Sequence, residues 1–127
     1  TLDTHTDDYL ETSEGKKLPI PHCIKGTDGH NLHPEIAALV RDGDVIIEKP
    51  SFGSTELYDR LRDSDYTDIE LCGLVTDICV VSNAILAKTA LPEARVSVAK
   101  SLPATADKSK YDAALAILAS VQIDVTE

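Results

Sequence analysis

Ile69-Glu70-Leu71-Cys72-Gly73-Leu74-Val75-Thr76-Asp77-Ile78-Cys79-Val80-Val81-Ser82-Asn83-Ala84-Ile85-Leu86-Ala87-Lys88-Thr89 is the stretch on which the fold turns. Residues 69–74 read as a strand. The helix that follows, from about 77 to 89, carries Ile78, Val80, Val81, Ala84, Ile85, Leu86 and Ala87. Apolar on nearly every side, it belongs inside the fold or in an oligomer interface. Upstream, Pro34 opens a helix over about 34–42 with Gly43 just past its end. Val45-Ile46-Ile47 is a β-branched run and reads as a buried strand; Ser54 or Thr55 then caps a helix through 62, with Leu57 and Leu61 four apart. Downstream come a strand over 95–99, a helix over 109–119 with Tyr111, Leu115 and Leu118 on one stripe, and a strand over 121–125. Residues 6–33 carry no hydrophobic period and read as one long functional or disordered loop. The order β-α-β-α-β-α-β predicts an α/β chain of the Rossmann-like, three-layer α/β/α kind. Its sheet is mostly parallel, joined by right-handed crossovers and covered on both faces.

Composition narrows what such a domain does. At 127 residues a single domain spanning 1–127 is expected. Twelve Lys+Arg against 22 Asp+Glu leave a formal net charge of −10, the wrong sign for binding nucleic acid or an anionic membrane surface. Aromatic residues are only 4%, so stacking platforms are scarce. Cys23, Cys72 and Cys79 have no C-x-x-C spacing and do not suggest a disulfide framework or a thiolate zinc site, which fits a reducing, cytoplasmic setting. The chain has no Met and opens on Thr1-Leu2-Asp3-Thr4-His5, so part of its front is expected to be missing.

In parallel α/β sheets ligands sit beyond the carboxyl ends of the strands. Four places answer to that position: the Thr1–His5 segment, which reads as a strand exit; Lys49; the link from Gly73 to Cys79; and Lys100-Ser101. With Thr76 or Asp77 as N-cap, Cys79 falls in the first turn of its helix, where unpaired N–H groups and the dipole stabilise a thiolate and can receive an oxyanion. Cys79 is therefore either a nucleophile or a small filler on a buried helix; Cys72, in mid-strand, reads as structural. Lys49 is either a solvated surface cation or the charge that neutralises a thiolate or an oxyanion. Asp3 and His5 share one face of an extended backbone. With His22 they make a donor set suited to a borderline metal, or a chance grouping of polar loop residues. His30 and His33 read as loop or helix-cap residues.

The segment Gly73-Leu74-Val75-Thr76-Asp77-Ile78-Cys79-Val80 resembles the nucleophile motif of the isochorismatase-like cysteine hydrolases, the superfamily that contains nicotinamidase. Thr1-Leu2-Asp3-Thr4-His5, Pro21-His22-Cys23-Ile24, Gly26-Thr27-Asp28-Gly29 and Lys49-Pro50-Ser51-Phe52 follow the family's order, so the similarity runs along essentially the whole chain. The resemblance implies Cys79 as nucleophile, Lys49 as its charged partner, a cis peptide between Leu74 and Val75, and an oxyanion hole from the backbone N–H groups of Val75 and Cys79. It also implies Asp3, His5 and His22 as ligands of a divalent metal, usually zinc, in the nicotinamidase branch. The family's third catalytic residue is an Asp at the end of a first strand, which would lie ahead of Thr1. The sheet's first strand is accordingly expected to be absent from this chain, and a missing N-terminal segment to complete it. Thr4 stands between Asp3 and His5 where nicotinamidases carry an aromatic, which leaves nicotinamide as one candidate substrate among several.

Together these readings predict a cysteine hydrolase of a small carboxamide, working through a thioester. Two alternatives stand beside it: a vinyl ether hydrolase of the isochorismatase kind, and an inactive binding protein of the same fold. The apolar helix after Cys79 further predicts a homo-oligomer.

Overall fold

A computed structural model describes residues 1–127. The chain forms two compact units, Thr1–Ser51 and Phe52–Glu127. Every strand pairing in both is parallel, so the α/β class expected from the alternation of elements is the one observed.

In the first unit, β1 (Leu2–Asp3) pairs with β2 (Glu48–Lys49) in the register Leu2↔Glu48 and Asp3↔Lys49. The strand expected over 45–47 is thus displaced. Only Ile47 is buried, while Val45 and Ile46 are more than half exposed. A β-branched run becomes a strand only where it finds a partner, and Leu2 and Asp3 meet the two residues after that run. The aperiodic segment is more ordered than its composition suggests. It holds a 3-10 turn at Tyr9–Glu11, α1 (Ser13–Lys17), a second 3-10 turn at Asp28–His30, and a parallel bridge between His5 and Ile24. α2 is shorter than expected, Pro34–Ala37, with the His33 side chain accepting the Glu35 N–H at its start. Beyond it, Leu39 and Val40 donate to Ile36 and Ala37, so the helix tapers through i→i−3 bonds. A turn over 41–44 follows, with Gly43 at φ +95°.

The second unit carries a three-stranded sheet in the order β3-β4-β5. Ser54 caps α3 (Thr55–Arg62) by accepting the Leu57 N–H at 3.1 Å. β3 (Asp68–Leu74) leads into a π-helical turn, Thr76–Val80, and then α4 (Val81–Ala90). β4 runs over Arg95–Ala104, longer than the sequence suggested, because after a shift in register Gly73 and Leu74 pair with Pro103 and Ala104. Lys100 and Ser101 therefore lie within a strand rather than at its exit. Gly73 sits at that shift with φ +115°, a conformation L side chains rarely adopt.

α5 (Lys108–Ser120) also outlasts its expected end, and β5 shrinks to Asp124–Thr126. Val121 and Gln122 form the helix stop instead of strand. The Gln122 N–H bonds to Ala119 and the Ile123 N–H to Leu118, a Schellman closure with Gln122 at φ +64°. Ile123, the apolar residue after the stop, is buried with Leu61, Val80, Ala84, Ala87, Ala90, Val96, Val98 and Leu118 in one core. Each of its larger aliphatic side chains contributes on the order of 1.5–3 kcal/mol by leaving water. No helix is long and apolar enough to cross a membrane.

Candidate functional site

The first unit gathers the sequence's metal candidates. β1 delivers Asp3, and the bridge to Ile24 holds His5 two residues on, its N–H bonded to Cys23 and its carbonyl to Lys25. One ligand atom each from Asp3, His5 and His22 lie within 4.8 Å of one another. His5 Nε2 is 3.4 Å and His22 Nε2 3.7 Å from the same oxygen, Asp3 Oδ2. The other oxygen, Oδ1, accepts from Lys49 Nζ at 2.9 Å, and Lys49 also donates to the Ser51 carbonyl at 2.8 Å. Lys49 is buried, so one of the two readings of it, the solvated surface cation, is set aside. The pairing follows from β1–β2 register, which sets Asp3 directly opposite Lys49.

Two further residues complete the cluster, and sequence reasoning missed both. Glu14, in α1, brings Oε1 to 3.8 Å from both His5 Nε2 and His22 Nε2. Tyr9 is buried with its ring 4.7 Å from that of His5 and 5.0 Å from that of His22. Its hydroxyl donates to the Leu18 carbonyl at 2.9 Å. Burial, then the carboxylates of Glu14 and Asp3, hold the Tyr9 phenol above its usual range, so it stays neutral here. The available signal was Thr12, which caps α1 by accepting the Gly15 N–H at 3.0 Å. That cap would have indicated a helix, and with it Glu14, inside the supposed loop.

The donor set suits a metal ion. His22 Nδ1 lies 2.8 Å from the Ile20 carbonyl, which can only accept, so Nδ1 carries a proton and Nε2 is the ring nitrogen that faces Asp3 and Glu14. His5 Nε2 is buried and makes no hydrogen bond. A buried polar atom left so is costly, and an ion among two imidazoles and one or two carboxylates would satisfy it. The remaining histidines stay outside: His30 Nε2 contacts Thr4 Oγ1 at 2.9 Å and His33 caps α2, as the sequence suggested.

In the second unit the chain leaves β3 through a cis peptide at Leu74–Val75, as the resemblance implied. Cys79 then lies in the π-helical turn. The expected side-chain cap is not formed: neither Thr76 nor Asp77 closes the turn. Instead the N–H groups of Ile78 and Val80 both bond to the Val75 carbonyl at 3.2 Å, and that wider loop replaces the cap. Cys79 is half-buried, Cys72 is exposed at the register shift of β3, and no disulfide forms.

Comparisons with known proteins bear on this geometry. A family model described as the isochorismatase domain matches residues 1–127. A curated protein of Bacillus subtilis (strain 168), described as an uncharacterized isochorismatase family protein PncA, is 30% identical over 92 residues, covering 66% of this chain. The chain spans 50% of that relative's length. Among solved structures, nicotinamidase PncA from Bacillus subtilis superposes with a TM-score of 0.81 at 27% identity, over 99% of this chain and 72% of that one. A pyrazinamidase of Pyrococcus horikoshii, solved in complex with zinc, gives a TM-score of 0.79 at 20% identity over 99% and 72%, a likeness of fold.

Proposed function

The chain belongs to the isochorismatase family, and we propose that it acts as a cysteine-dependent amidohydrolase on a small carboxamide. The observation that carries this reading is the convergence of Asp3, His5 and His22 around a buried, unsatisfied imidazole nitrogen. That trio belongs, on the resemblance drawn from the sequence, to the amide-hydrolysing branch. The solved nicotinamidase of Bacillus subtilis points the same way.

In this reading the Cys79 thiolate attacks the carboxamide carbon. On the resemblance drawn from the sequence, the resulting oxyanion is received by the N–H groups of Val75 and Cys79, and Lys49 is the cation that offsets the negative charge. The C–N bond breaks and the nitrogen leaves as ammonia after gaining a proton. Water then hydrolyses the thioester: its hydroxyl joins the acyl carbon to give the carboxylic acid, the C–S bond breaks to return the thiolate, and the water's other proton replaces the one taken up by the leaving nitrogen. Asp3, His5 and His22, with Glu14 beside them, would hold a divalent ion, zinc by the character of the donors. When bound, that ion supplies a Lewis-acid contact that orients the substrate. A homo-oligomer, suggested by the apolar character of residues 77–89, is part of the same proposal and is tested by solution mass.

The test is a panel of small carboxamides, nicotinamide and pyrazinamide among them, with ammonia as readout and a vinyl ether of the isochorismate kind as comparator. Ammonia release from at least one carboxamide, with no cleavage of the vinyl ether, is expected. Cleavage of the vinyl ether alone would overturn the amide reading.

A further inference from the structure

Asn83, in the first turn of α4, is buried and makes three hydrogen bonds to backbone. Its Oδ1 accepts the Ser54 N–H at 2.9 Å, while Nδ2 donates to the Phe52 carbonyl at 3.0 Å and to the Cys79 carbonyl at 2.8 Å. Only one orientation of the amide satisfies all three partners, since one is a donor and two are acceptors. Asn83 stands four residues beyond Cys79, the spacing at which a helical side chain reaches back to a carbonyl. The segment it holds lies tightly on α4: a Cβ on Gly53 would come within 2.8 Å of Leu86 Cδ1. Ser54 in turn caps α3, so one side chain ties the start of that helix to the turn that carries Cys79.

We infer that Asn83 is a positioning residue for the nucleophile. It acts through the Cys79 carbonyl, fixing the peptide that sets where the thiol points, and does not itself touch substrate. Asn is a poor helix former, and a buried amide is costly unless every partner is in place. Neither helix propensity nor packing asks for it at this position, whereas three backbone groups do. Nucleophilic attack depends on sub-ångström placement, so losing the bond to Cys79 should be felt at the sulfur before it is felt in the core. The inference rests on the reading of Cys79 as nucleophile.

The test compares Asn83→Leu and Asn83→Thr with the unmodified chain. Leu fills the space and removes every hydrogen bond. Thr keeps a donor that reaches the residue four back, but offers no amide for Phe52 and Ser54. Iodoacetamide labelling across the neutral pH range, followed peptide by peptide, gives the rate at Cys79 relative to Cys72 in the same molecule. Asn83→Leu is expected to lower that ratio roughly tenfold, and kcat on a carboxamide by a similar factor with KM little changed. Asn83→Thr is expected to keep the ratio within about threefold. An unchanged ratio in Asn83→Leu, or a Thr variant as impaired as the Leu variant, overturns the inference. If Asn83→Leu unfolds, its three cysteines label at one rate. The Thr variant then decides: retention of the ratio supports the inference and loss refutes it. A Cys79→Ala chain that still releases ammonia ends the nucleophile reading. An unchanged ratio in Asn83→Leu beside an inactive Cys79→Ala ends only the positioning role.

Discussion

Gly15→Ala is the substitution that couples the first unit's folding to its candidate metal site, Asp3, His5 and His22. A Cβ at position 15 would lie 2.0 Å from the Tyr9 carbonyl oxygen and 2.8 Å from Leu10 Cα, where ordinary contact begins at 3.4 Å. Both obstacles are backbone, so no side chain can rotate aside; α1 or the Tyr9–Glu11 turn must move by about 1.4 Å. Overpacking of this kind costs about 1–3 kcal/mol. The displacement is not local in effect, because the Tyr9 ring lies against both His5 and His22 and α1 carries Glu14. Zinc–nitrogen bonds tolerate a few tenths of an ångström, so a shift above 1 Å should lower zinc affinity roughly tenfold to a hundredfold. Chelator competition measures the affinity, and thermal unfolding measures the stability. Gly29→Ala is the control, since a Cβ there meets nothing nearer than Thr27 Oγ1 at 3.8 Å. Unchanged zinc affinity in Gly15→Ala, or equal losses in both variants, would show that the close approach at Gly15 does not set the geometry of Asp3, His5 and His22.

Other outcomes follow from the same geometry. His5→Ala should lower zinc affinity about a hundredfold, and Glu14→Gln about tenfold, by chelator competition. At zinc a hundred times its dissociation constant, the unmodified chain should gain about 2.7 kcal/mol against thermal unfolding, a gain lost in His5→Ala. Asp107 accepts the N–H groups of Ser109 and Lys110 at the start of α5. The Ser109 hydroxyl and those N–H groups hold its carboxyl below the usual aspartate range. Its unfolded form therefore binds the proton first, and the stability it contributes is present at neutral pH and lost as pH falls through the folded value. Asp107→Ala should be less stable than the parent at pH 7, and the gap should close in acid unfolding titrations.

The sequence exposed those parts of the fold that depend on local chemistry. The passage from β3 through residues 76–80 into α4 was legible because apolar strand, turn glycine and buried helix follow one another without interruption. Residue type and spacing left Asp3, His5 and His22 as either a donor set or a chance grouping; the family resemblance grouped them, and their ligand atoms lie within 4.8 Å of one another. Partnership across the chain was not legible. Glu48 and Lys49, not Val45 and Ile46, form β2 because Leu2 and Asp3 lie opposite them, and nothing local announces that register. Glu14 and Tyr9 were hidden because their helix and turn are short and held by caps and a close backbone approach around Gly15, not by a hydrophobic period. Val121 reads as strand for its β-branched side chain, whereas the closure at Gln122 and burial of Ile123 make it the end of α5. Asn83 is one polar residue on an apolar helix, and its partners Ser54 and Phe52 stand 29 and 31 residues away in one segment that nothing near Asn83 announces.

Whether Cys79 performs the hydrolysis is decided by ammonia release from Cys79→Ala. On a carboxamide turned over by the unmodified protein, Cys79→Ala is expected to release no ammonia above the uncatalysed rate, while Cys72→Ala keeps its activity. Turnover retained in Cys79→Ala would contradict the account.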